Sequence, residues 1–137
     1  MKKALLDTSI FIRFLTQDDP QKFEDCAKFF ELVEEGKIRP YISNIVILEI
    51  QFVLIKVYKF PKATVLEDID TILRLRNLTL IEKTDTNEAI SLYKKHNIKY
   101  ADCMIITQLP KGAKLVTYDE EFEKIKNISP VTPKDLL

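Results

Sequence analysis

Short apolar runs alternate with longer amphipathic stretches along the whole chain. Ala4 to Leu6 is the first run, and its adjacent leucines have the pattern of a strand buried on both faces. It stops at Asp7, and Thr8 or Ser9 is placed to cap a helix that begins near Ile10. Asp18-Asp19-Pro20 supplies a cap followed by proline at the first helical position. The helix predicted from there to Glu35 buries Phe23, Cys26, Ala27, Phe30 and Val33, and Gly36 ends it. Ile38 to Ile42 predicts a second strand, in which Pro40 suits a strand start or a sheet edge better than a strand centre. Ser43 or Asn44 caps the next helix, Ile45 to about Tyr58. That helix is apolar nearly all round, which implies packing on several sides, within the domain or against another subunit.

The second half repeats the alternation. Pro61 opens a helix with Val65, Leu66, Ile69, Ile72 and Leu73 on one face, and Leu78 to Ile81 is a third strand. Asp85 and Glu88 read as a capping box for a helix carrying Ala89, Ile90, Leu92 and Tyr93, with Asn97 as its stop. Tyr100 to Leu109 is another mostly apolar helix, broken by Pro110 and Gly112. Lys114 to Val116 is a fourth strand, and a short helix follows through Phe122 and Ile125. Val131-Thr132, between two prolines, fits a fifth strand at an edge. Strands alternating with helices imply βαβ units, and so an α/β fold with a parallel sheet covered on both faces. The length of 137 residues fits a single domain spanning residues 1–137.

Composition narrows the function. Twenty-one basic and 21 acidic residues cancel, which argues against a tail-type or histone-like nucleic-acid binder but leaves room for a local basic rim. Two glycines in the whole chain exclude Gly-rich phosphate loops and dinucleotide fingerprints. Cys26 and Cys103 fall in helical patterns with no metal-ligand spacing, as free thiols in a reducing cytoplasm do. Charged and polar residues interrupt every apolar stretch, so no membrane span is expected and a cytoplasmic location is.

Most of the acids lie on predicted solvated faces; four do not. Asp7 and Asp119 each follow an apolar strand, and Glu49 and Asp102 each interrupt an apolar helix near its start. A lone carboxylate in such surroundings is costly unless paired or bound to a cation. The carboxyl ends of parallel strands are where open α/β sheets bind ligands, so the four acids are expected to share one site there. Carboxylates that close repel by roughly 1–3 kcal/mol per pair at an effective dielectric near 20, and a divalent cation relieves this. Oxygen ligands without His or Cys point to Mg²⁺ or Mn²⁺, and such sites serve phosphoryl chemistry. Thr117 stands two residues before Asp119 as a hydroxyl helper. Arg13, one helical turn past Asp7, is the best single candidate for a substrate phosphate contact. Lys94, Lys95, Lys99, Lys111 and Lys114 flank the site-bearing segments and could form a basic rim.

These residues carry a resemblance. Leu-Leu-Asp7-Thr8-Ser9, Leu48-Glu49-Ile50, Tyr100-Ala-Asp102-Cys-Met-Ile and Leu-Val-Thr117-Tyr-Asp119-Glu-Glu-Phe122 resemble the four signatures of PIN domains. More particularly, the chain resembles the VapC-type toxin ribonucleases of prokaryotic toxin–antitoxin pairs, from Lys3 to the C-terminus. The resemblance implies a three-layer α/β/α sandwich whose central parallel sheet has four or five strands. It implies a Mg²⁺- or Mn²⁺-dependent nuclease that cleaves single-stranded RNA, with Asp7, Glu49, Asp102 and Asp119 as the catalytic, metal-binding set. Thr8, Ser9 and Thr117 would orient those acids; Ser9 departs from the asparagine common at its place. A homodimer and a small antitoxin partner are implied as well. The alternatives are a housekeeping RNA-processing nuclease and a non-catalytic RNA-binding or assembly module on the same fold. A haloacid-dehalogenase-type phosphatase needs a second Asp two residues after the first, where this chain has Ser9.

Overall fold

In the computed structural model, which covers residues 1–137, four parallel strands form one sheet in the order β3-β2-β1-β4. They are β1 (Lys2–Leu6), β2 (Ile38–Ser43), β3 (Thr79–Ile81) and β4 (Lys114–Val116). Six helices flank the sheet: α1 (Thr8–Thr16), α2 (Pro20–Glu34), α3 (Asn44–Phe52), α4 (Lys62–Leu73), α5 (Thr86–Lys95) and α6 (Tyr100–Thr107). Leu5 and Leu6 are fully buried, as their lack of polar alternation requires of a strand with neighbours on both sides. Together with Ile42, Leu115 and Val116 they form the middle of one continuous core, packed by Phe11, Phe29, Ile50, Ile105 and Phe122 from the helical segments. Strand order reverses at β1, since β2 and β3 lie to one side of it and β4 to the other. That reversal opens a crevice at the carboxyl ends of β1 and β4.

Several local signals act as expected. Asp19 caps α2 by accepting from Lys22 N at 3.1 Å, and Ser43 caps α3 by accepting from Ile45 N at 3.0 Å. Gly36 takes φ +77° just after α2, a left-handed turn that would strain a residue with a Cβ. Both cysteines are buried and free.

Other elements differ from the pattern. Position Asp7, not Thr8 or Ser9, is the N-cap of α1, and its side chain makes no capping bond because other groups hold it. On α2, Phe29 and Asp25 are buried, while Phe23 is half-buried and stacks on Phe14 with ring centroids 5.4 Å apart. Pro40 lies inside β2, beside Ala4 of β1, yet β3 joins only from Tyr41 onward. At Pro40 the strand is therefore still an edge on that side, where a missing N–H is tolerated. Asp85 accepts from Glu88 N at 3.0 Å, so the capping bond forms from the Asp85 side. The fifth strand reduces to a single parallel bridge between Val116 and Val131, and Val131 O accepts from Thr117 N at 2.9 Å.

The long apolar helix divides. α3 passes into a π-helical turn over Val53–Val57, where Tyr58 N reaches back to Val53 O at 3.1 Å. Val46, Ile50 and Leu54 are buried, but Leu48, Phe52 and Val57 remain 66, 62 and 64% exposed. No helix is long and apolar enough to cross a membrane.

The central strand should tolerate truncation poorly. Leu6→Ala removes a fully buried side chain, and a loss of about 2–5 kcal/mol is expected, read from the urea unfolding midpoint at constant slope. A loss below about 1 kcal/mol would contradict a tightly packed core at β1.

Candidate active site

Each of the four acids is delivered by a different piece of the fold. Asp7 follows β1, Glu49 lies on α3, Asp102 stands in the first turn of α6, and Asp119 follows β4 as the N-cap of a 3₁₀ turn over Glu120–Lys124. All four line one cleft of about 260 Å³, together with Thr8, Ser9, Arg13 and Lys99. The sequence-predicted acids are thus brought to a common site at the crevice where strand order reverses.

Asp7 is buried and is held by two hydroxyls. Thr117 Oγ1 donates to its Oδ2 at 2.7 Å, and Ser9 Oγ donates to the same oxygen at 3.2 Å. Each hydroxyl in turn accepts a backbone N–H from the turn after β4. Asp119 N donates to Thr117 Oγ1 at 2.9 Å, and Tyr118 N donates to Ser9 Oγ at 3.0 Å. A serine can do this because a hydroxyl both donates and accepts, so the departure from asparagine at position 9 leaves Asp7 supported. Thr8 serves the other side of the cleft, donating to Glu49 Oε1 at 2.6 Å. All three of these hydroxyls thus donate to an acid of the cleft.

Asp102 is the exception among the four. It is buried, and its Oδ2 has no hydrogen-bond partner. The one comparable atom, Gln108 Oε1, belongs to the residue that closes the opposite end of α6, where the Gln108 amide nitrogen ties the helix to Lys83 O and Thr84. The Asp102 pKa is raised to about 7, chiefly by burial; Lys99 works against that rise, and Asp7, Asp119 and Glu49 add to it. Burial raises Asp7 as well, against the hydrogen bonds of Thr117 and Ser9. Three carboxylates acting on a fourth is the electrostatic signature of a shared site.

The four do not close onto one point, for no three Asp, Glu, His or Cys side chains stand together at metal-binding spacing. The donor set nevertheless fits a hard divalent cation. All four are carboxylates, and the buried Asp102 oxygen without a partner is one that a cation would satisfy.

The basic candidates separate. Arg13 lines the cleft but is engaged, with Nη1 3.1 Å from Asp18 Oδ1 and the Tyr58 hydroxyl on the other oxygen of that carboxylate at 2.7 Å. Lys111 and Lys114 lie elsewhere, around a second hollow with Met1, Lys2 and Lys3. Of the five flanking lysines only Lys99 lines the acid cleft. Its spacing of three residues before Asp102 on a helix start was the signal that marks it out. Tyr58 had no such signal, since the π turn that places it is not visible in periodicity. Tyr100 packs edge-on against Tyr93 at 5.5 Å and takes no part in the cleft.

The crowding of acids has a sign that can be measured. Folded Asp102 keeps its proton up to about pH 7, whereas an unfolded chain releases it near pH 3.9. Between those values the native state binds more protons, so metal-free stability should fall as pH rises. Metal-free wild type should melt higher at pH 5.5 than at pH 8. Asp102→Asn should raise the metal-free melting temperature at pH 8 by about 3–10 °C, and by less at pH 5.5. Added Mn²⁺ should protect the wild type far more than the variant. A lower melting temperature for the variant at pH 8, with full protection by metal, would show that Asp102 is a structural acid and no ligand.

The likeness to known proteins agrees with this geometry. A family model for the PIN domain matches residues 4–128. A VapC ribonuclease from Aquifex aeolicus is 29% identical over 130 residues, covering 92% of this chain and 96% of its own. Among solved structures, VapBC2 from Rickettsia felis bound to a DNA fragment from its promoter superposes with a TM-score of 0.68 at 22% identity, over 95% of this chain and 98% of that one. VapC20 of Mycobacterium tuberculosis, described as a sarcin–ricin loop cleaving toxin, superposes with a TM-score of 0.67 at 12% identity, over 88 and 92%. The match spans the strands, the helices and all four acids, and the chain belongs to the PIN domain family.

Proposed function

We propose that this protein is a Mg²⁺- or Mn²⁺-dependent ribonuclease that cleaves single-stranded RNA as the toxin of a toxin–antitoxin pair. The observation that carries the reading is the convergence of Asp7, Glu49, Asp102 and Asp119 on one cleft, with a buried Asp102 oxygen left unpartnered. Those four carboxylates would hold the metal. When bound, such an ion lowers the pKa of a water and stabilises the leaving oxygen of a phosphodiester. Ser9 and Thr117 fix Asp7 in orientation, and Thr8 fixes Glu49, so these two carboxylates would need little rearrangement to hold a cation.

A non-catalytic RNA-binding module is the weaker reading, because it has no use for four mutually repelling acids or for the hydroxyls that hold two of them. The toxin reading over a housekeeping nuclease is supported by the likeness to the Aquifex VapC ribonuclease and to VapBC assemblies from Rickettsia felis and Haemophilus influenzae. By the same likeness a small antitoxin is the protein partner. Two free buried thiols fit a reducing cytoplasm.

Self-association belongs to the proposal. Leu48, Phe52 and Val57 are exposed apolar residues contributed by one continuous helical segment, and a second copy of the chain is the occupant that would cover them.

The purified protein should cut single-stranded RNA with Mg²⁺ or Mn²⁺, lose that activity in EDTA and regain it when either ion is restored. Cleavage that survives exhaustive chelation would remove the metal mechanism. For the assembly, light scattering on dilute protein should report a dimer, and Phe52→Glu should shift it to the monomer while leaving the fold intact by circular dichroism. A wild type that stays at 16.0 kDa throughout would dispose of the dimer.

A further inference from the structure

Two cationic side chains line the acid cleft, and they are not equally free. Arg13 is paired with Asp18, whose Oδ1 also accepts from Thr16 Oγ1 at 2.9 Å and whose other oxygen accepts from Tyr58. This knot of four side chains keeps the guanidinium on the rim as a neutralised charge. Lys99 has no such partner. The ion pairs of the structure are Arg13–Asp18, Lys28–Glu24, Lys37–Glu35 and Lys124–Glu121, and Lys99 is in none of them.

Its position is nevertheless fixed at the root. Lys99 is the N-cap residue of α6, and its carbonyl accepts from Asp102 N at 3.1 Å and Cys103 N at 3.2 Å. The turn that presents the Asp102 carboxylate to the cleft therefore presents the Lys99 stem beside it. The side chain makes no capping bond, so the ammonium is not needed to start the helix. Burial works against its charge, but Asp102, Glu49, Asp119 and Asp7 together outweigh that and hold it cationic.

A phosphodiester entering this cleft meets four carboxylates. A divalent cation would offset only part of that charge, so the phosphate still needs a cationic partner from the protein, and Arg13 is paired with Asp18. We propose that Lys99 is the phosphate-binding residue of the cleft, its ammonium donating to a non-bridging oxygen of the RNA phosphate seated over the acids. The inference rests on the ribonuclease reading above. A lysine suits the task because its charge sits on a flexible four-carbon stem that can reach past its acidic neighbours without being locked to one of them.

The test compares wild type, Lys99→Ala and Lys99→Arg as full-length proteins. Steady-state cleavage of a single-stranded RNA oligonucleotide is followed in Mn²⁺ across a range of salt. Mn²⁺ binding to the RNA-free proteins is measured by calorimetry. Lys99→Ala should lower kcat/KM by about 10- to 100-fold, the range for a hydrogen bond to a charged group. Its plot of log kcat/KM against log salt should become shallower by about 0.7, one phosphate contact on a single strand. Lys99→Arg should restore the slope and part of the rate. Mn²⁺ should bind Lys99→Ala several-fold more tightly than wild type, since a like charge has left the acid cluster. Rate and metal affinity thus move in opposite directions. Weaker Mn²⁺ binding in parallel with lost cleavage would show that Lys99 merely organises the acids, and would overturn the proposal. Unchanged kinetics and slope in Lys99→Ala, with an active wild type, would overturn it while leaving the ribonuclease reading intact. A wild type that neither binds Mn²⁺ nor cuts RNA would remove both. Thermal melts of the three proteins should agree within a few degrees, because the exchanged side chain makes no ion pair or capping bond; a large drop confined to the alanine variant would give Lys99 a structural role instead.

Discussion

Like charges gathered around one cleft are the constraint to which the rest of this molecule is fitted. Four carboxylates face one cleft, and water can stabilise only those near its mouth. Asp7 and Asp102 are buried, so their charge depends on what the fold brings to them. The fold treats the two differently. Asp7 receives two hydroxyl hydrogen bonds, themselves fed by backbone N–H groups of the turn after β4. Asp102 has the first turn of α6 and a lysine near it, and one oxygen with nothing at all. One acid is thereby held in a defined orientation, and the other keeps an oxygen that nothing within the chain satisfies. A cluster in which every acid had been satisfied internally would have little affinity left for a metal ion.

The sheet topology is what makes such a cluster possible. Parallel strands send all their carboxyl ends to one edge, and the reversal of strand order at β1 leaves a gap there that no crossover helix fills. Asp7 and Asp119 arrive from the two strands flanking that gap. Glu49 and Asp102 come in from the helices α3 and α6, which touch each other as well as the strands' connections. The cleft therefore has rigid walls, and its polar lining lies on elements rooted in the core through Ile50, Cys103, Leu6 and Val116.

Much of this was legible in the sequence, for a physical reason. An acid flanked by apolar residues on an element that must be buried is conspicuous, and Asp7, Glu49, Asp102 and Asp119 all stood out in that way. Element boundaries were also readable where a cap residue and a proline coincide, as at Asp19-Pro20. Strand order was not, because periodicity records which residues face inward and says nothing of which strand is the neighbour. The pairing of Arg13 was not legible for a related reason. Spacing from Asp7 placed the arginine at the cleft, but Asp18 and Tyr58, which occupy it, approach from a turn and from the π-helical segment. The apolar helix after Ser43 was read as packed on several sides, within the domain or against another subunit; within the chain it meets β2, α1, α4 and α6, and Leu48, Phe52 and Val57 stay exposed.

The hydroxyl link between Thr117 and Asp7 spans 110 positions of chain. Asp7 is synthesised well before Thr117, and of the two hydroxyls that orient it only Ser9 is made alongside it. A nascent polypeptide that has made β1 through α6 already carries three of the four acids, yet Asp7 lacks its Thr117 bond and Asp119 does not exist. The four-acid cleft is therefore complete only when residues 114–131 have folded onto β1. The cleft is thus a late product of folding, assembled across the separation between the first and the last strand of the sheet.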